Sequence, residues 1–161
     1  KYNHSFTHAH KKYKKFYAEP GKVVAYILLN EDTLHLRNKI ARLPGRNAWR
    51  INGRSRTDLQ DAKPTADSLA LLGYTLIGWD LEWRFDTTSH RYFTGNEMIR
   101  QVKSVEQKQN SFTNKHIVIL FHDMLLEDSQ FRNELHTFIL LVKQSPRYRF
   151  VFISNYPGVK K

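Results

Sequence analysis

Hydrophobic positions along the chain change spacing from helix-like to strand-like and back. After the Pro20-Gly21 break, Val23, Val24, Ile27, Leu28, Leu34, Leu36 and Ile40 recur at mainly helical spacing, with an interruption expected at residues 30–32. Residues 52–63 are polar and rich in Arg and Asp, which reads as a loop. Pro64 and Thr65 open a short helix that runs through Leu72 and is closed by Gly73. Residues 74–79 form a compact apolar strand ending at Asp80, followed by a polar crossing over residues 85–93 and a helix over residues 96–109. A strand at 116–121, a helix at 129–144 and a strand at 148–153 complete the pattern. Strand alternating with helix predicts an α/β fold built on a parallel sheet or a (β/α) barrel. In such folds functional groups gather at the carboxyl ends of the strands. Residues 42–45, 80–83 and His122-Asp123 occupy such places.

Composition narrows the picture. With 161 residues, 40% hydrophobic and 13% aromatic, the chain is expected to form one globular domain with a buried core. No apolar run is long enough to span a bilayer. The absence of cysteine excludes disulfides, thiolate zinc sites and a cysteine nucleophile, so any metal must be held by imidazole and carboxylate. A net charge of +11 favours an anionic partner such as nucleic acid or a negatively charged cell envelope. Residues 10–17 interleave four lysines with Tyr13, Phe16 and Tyr17. They read either as a polymer-facing surface or, more simply, as a solvated helix whose aromatics reach the core. The chain begins without methionine and inside a motif, so its natural start is expected upstream and export stays open.

His4 and His8 stand four residues apart in Asn3-His4-Ser5-Phe6-Thr7-His8, a spacing that lets a helical turn or tight loop aim both imidazoles at one point. A surface pair has the same spacing, and His10 is a rival partner. An ordered set follows: Arg42-x-Pro44-Gly45, then Trp79-Asp80-x-Glu82-Trp83, then Ile119-Leu120-Phe121-His122-Asp123. Taken together and in this order, these segments are similar to the successive motifs of the NodB-homology polysaccharide deacetylases, over essentially the whole chain. The resemblance implies the C-terminal part of a distorted (β/α) barrel, with the first strands missing from residues 1–161. It also implies a divalent metal, commonly zinc, and removal of N-acetyl groups from a polysaccharide such as chitin or peptidoglycan. A secreted, periplasmic or cell-envelope location in a bacterium would follow.

Carried onto this sequence, the resemblance makes His4 and His8 metal ligands, and Arg42 the group that orients a catalytic-base aspartate. Pro44 would help wall the groove, and the Gly45 N–H would help hold the oxyanion. Trp83 and Leu120 would line the acetyl pocket, while His122 would protonate the departing amine with Asp80 tuning it. Simpler readings stand beside these: a surface ion pair for Arg42, an ordinary turn for Pro44-Gly45, core packing for Trp79 and Trp83, and a hydrogen-bonded core histidine for His122. The family's first motif, an Asp-Asp strand end supplying base and metal ligand, has no counterpart here, because the sequence contains no Asp-Asp pair. Gly45 stands where many members have tyrosine, and Glu82 where aspartate is frequent. The competing expectations are a catalytically inactive polysaccharide-binding or scaffold domain and, last, a basic nucleic-acid-binding domain. No nucleic-acid motif accompanies the charge, so no nucleic-acid partner is expected.

Overall fold

The computed structural model describes residues 10–86 and 91–159. Two compact units emerge, Lys1–Gly78 with Ser154–Lys161, and Trp79–Ile153. In the first unit, helices α1 (His10–Tyr17) and α2 (Pro20–Thr33) are separated by a short turn. Proline in the first turn of α2 costs no hydrogen bond and presets the helical φ. The interruption expected at residues 30–32 does not occur; the helix runs through them and ends where the Leu34 N–H bonds back to the Asn30 carbonyl and the His35 N–H to the Asp32 carbonyl.

Strands β1 (Ile40–Ala41), β2 (Ala48–Ile51) and β3 (Arg54–Thr57) follow, with β2 and β3 joined as an antiparallel hairpin. The loop expected over residues 52–63 is corrected at its start. Asn52 and Gly53 sit at φ 50 and 74, the paired positive φ of a two-residue hairpin turn whose twist matches the strands it joins. A 3₁₀ turn, Gln60–Ala62, leads into α3 (Lys63–Leu71), and β4 (Thr75–Leu76) returns parallel to β1. The resulting sheet is mixed, in the order β1-β4-β2-β3. Tyr17, Val23, Leu43, Ala48, Leu69 and Leu76 form the core between this sheet and the helices.

The second unit pairs β5 (Leu81–Glu82) with β8 (Ile119–Leu120) in parallel. Between them lie the small antiparallel pair β6 (Phe85–Asp86) and β7 (Arg91–Tyr92) and helix α4 (Gly95–Gln107). Helix α5 (Ser129–Gln144) begins at Asp128, whose carboxylate accepts from the N–H groups of Gln130 and Phe131. The two helices meet at Gly95, where an added Cβ would lie 2.6 Å from the Glu134 carbonyl oxygen. Trp83, Met98, Val102, Phe131, Phe138 and Val142 are buried together.

The mixed α/β class is as expected, with five helices and no closed barrel among the described residues. Two strands are shorter than the sequence pattern suggested, since only Thr75–Leu76 and Ile119–Leu120 carry ladders. The strand expected at 148–153 is absent. An apolar run becomes a strand only when a neighbouring backbone completes its hydrogen bonds, and none of the described residues does so here. Phe150, Val151 and Phe152 are exposed as a result.

Candidate functional site

In the first unit Arg42 directly follows β1, at the carboxyl end of a strand paired in parallel with β4, and it is exposed. The next turn is held from the core side. The Tyr17 hydroxyl donates to the Pro44 carbonyl at 2.7 Å, and Arg46 Nη1 donates to the Gly45 carbonyl at 2.8 Å. Arg46 was not singled out by sequence reasoning, yet its side chain is only 1% exposed. A buried guanidinium must be neutralised. Asp61 does this with a two-pronged clamp, Nε to Oδ1 at 2.8 Å and Nη2 to Oδ2 at 2.6 Å. The rings of Tyr13 and Tyr17 lie 5.5 and 5.2 Å from the guanidinium carbon, at cation–π distance. Burial pushes both phenols up, against the opposing positive charges of Arg42 and Arg46. The hydrogen bond from Arg46 to Asp61 raises the guanidinium further.

Gly45 has φ 59, and a Cβ built on it would come within 2.5 Å of the Tyr13 ring. Both the left-handed backbone and the ring above it require glycine. The sequence carried the Pro-Gly turn signal but nothing that placed Tyr13, 32 positions earlier, over it.

In the second unit His122 lies two positions beyond β8 and Glu82 closes β5, the neighbouring parallel strand. His122 Nε2 and Glu82 Oε1 are 3.8 Å apart, with the imidazole 53% and the carboxylate 30% exposed. An imidazole beside a carboxylate at a strand end can hold and deliver a proton to something arriving from solvent. Leu120, paired with Glu82 across the ladder, is half-buried. Asp80, expected to tune His122, spends its carboxylate on the backbone: Oδ1 accepts from the Phe112 N–H at 2.7 Å and Oδ2 from the Val118 N–H at 2.9 Å. Trp83 lies in the core, its indole N–H donating to the Phe93 carbonyl at 2.8 Å and its ring edge-on to Phe131 and Phe138.

His4 and His8 lie outside the described residues. Among those described, no three His, Asp or Glu side chains converge as a metal clamp, so a metal's fit rests on the two histidines. No helix among the described residues is long and apolar enough to cross a membrane. No family model matches the chain, and no curated protein matches it.

Proposed function

We propose that the chain belongs to a metal-dependent hydrolase that removes N-acetyl groups from a polysaccharide, and that residues 40–122 supply its turn donor and its acid. The observation that carries this reading is the meeting of His122 with Glu82 at the carboxyl ends of two hydrogen-bonded parallel strands. Amide cleavage needs a proton delivered to nitrogen, and an imidazole backed by a carboxylate is placed to deliver one. By the resemblance, the Gly45 N–H would hold the developing oxyanion, Arg42 would orient the base and Leu120 would contribute apolar wall. A divalent metal, commonly zinc, would be held by His4, His8 and a carboxylate, and would supply Lewis-acid polarisation and an activated water.

One further feature supports the (β/α) barrel form of this reading: both parallel pairs place candidate residues at their carboxyl ends.

The test is acetate release from N-acetylglucosamine oligomers by the full-length, zinc-loaded protein. His122→Asn is expected to lower kcat by about a hundredfold or more with little change in KM, and chelation to abolish turnover. An unchanged rate in His122→Asn sinks the reading. Oligosaccharide binding without acetate release would replace it with a polysaccharide-binding or scaffold role.

A further inference from the structure

We infer that Tyr17 and Arg46 are positioning residues which lock the Pro44-Gly45 peptide so that the Gly45 N–H is presented outward as a preorganised donor to an oxyanion. This rests on the deacetylase reading for its substrate, but its geometry stands on the turn itself.

A trans peptide points its C=O and N–H in opposite directions, and the chain contains no cis bond among the described residues. The Pro44 carbonyl is drawn inward by the Tyr17 hydroxyl, and Tyr17 is 2% exposed. The Gly45 N–H on the same peptide plane therefore points away from the core. Gly45 is exposed, and its N–H has no backbone acceptor among the described residues. The following peptide is fixed in the same manner, with the Gly45 carbonyl on Arg46 Nη1 and Arg46 anchored on Asp61. Two successive carbonyls are thus tied down by buried donors, leaving the intervening N–H nowhere to turn.

Such restraint is what an oxyanion donor requires. A donor that must reorient as charge develops loses most of its value, whereas one held in place acts without reorganisation. The hydroxyl of Tyr17 is suited to the task because burial keeps it protonated well into the alkaline range, so the lock persists wherever a hydrolase would work. Tyr13 closes the turn from the other side, its ring filling the space over Gly45.

Tyr17→Phe removes one oxygen and keeps the ring in the core. In the full-length protein we expect kcat on N-acetylglucosamine oligomers to fall about tenfold, with KM within about twofold, since a misaligned donor is felt chiefly in the transition state. Asp61→Asn, which frees Arg46 through the second carbonyl, should reproduce the split. Independently, the Gly45 amide proton in nitrogen-15 spectra of the substrate-free protein should shift and exchange faster with solvent in both variants. Unchanged kcat in Tyr17→Phe, or an unmoved Gly45 amide, overturns the lock. Absence of turnover in the wild-type protein sinks the deacetylase reading alone, and the amide measurement then decides the lock.

Discussion

Glu97 shows how much a single carboxylate can organise. It accepts from Arg91 Nη1 and Nη2 at 2.7 Å each and from the Thr94 N–H at 2.7 Å, while its own N–H reaches the Thr94 hydroxyl. That reciprocal pair is a capping box for α4. The Arg91 bonds first, then the Thr94 N–H, pull the Glu97 carboxyl down to about 2. A folded-state value depressed below the unfolded one means the stabilisation is complete above the ordinary carboxylate range and is lost as pH falls from there towards 2. Glu97→Gln is therefore expected to cost about 1 kcal/mol at neutral pH and to flatten the fall in melting temperature between pH 4.5 and 2, measured by thermal denaturation across pH. The same scale shows what the sequence could and could not disclose. His122 was conspicuous in the sequence as a histidine directly after the apolar run of residues 117–121. Its neighbour Glu82 was not, because a side chain such as Asp80 can turn to backbone N–H groups of residues 112 and 118, and no pattern along the chain records that choice.

Among the elements, α3, α4 and α5 were read well because their apolar periodicity is local, whereas the helical spacing expected to run on to Ile40 ends with α2 at Thr33, and Ile40 opens a strand. Helix α5 has the expected bounds, and α4 begins one residue earlier than its pattern suggested. The strands fared worse, since a strand's existence depends on a partner distant in sequence. The β2–β3 hairpin is an instructive miss. Its Asn52-Gly53 turn is a strong local signal, but the arginines flanking it were read as loop composition. Close approach of α4 and α5 was likewise invisible, because it hangs on Gly95. Its N–H donates to the Glu134 carboxylate at 2.8 Å, and a Cβ would meet backbone of α5 on both sides, 2.6 Å from the Glu134 oxygen and 2.7 Å from the Phe138 nitrogen. Backbone cannot swing aside as a side chain can. Gly95→Ala should destabilise the second unit by about 1–3 kcal/mol, read as a shifted denaturant midpoint, whereas Ala at the open position Gly21 should not.

Across the whole molecule, a charge of +11 sits beside a cluster of exposed apolar side chains at residues 150–153. Phe152 is 80% exposed, in a short run with strand-forming composition and no internal charge. Such a run promotes self-association, and the like charges of the chain oppose it at low salt. Light scattering should thus rise with added salt, and Phe152→Ser should suppress that rise while moving the melting temperature little, because so exposed a ring contributes little burial. The candidate residues divide between the two units, and the side chains that support each of them, such as Arg46 and Tyr17 beneath the Pro44-Gly45 turn, left no pattern in the sequence. Tyr13 over Gly45 shows what that support means for descent. Any side chain at 45 would have to displace the ring at 13, and any loss of the ring would uncover a backbone that only glycine adopts easily. A side chain at 45 therefore opens an evolutionary path only where the ring at 13 has already changed.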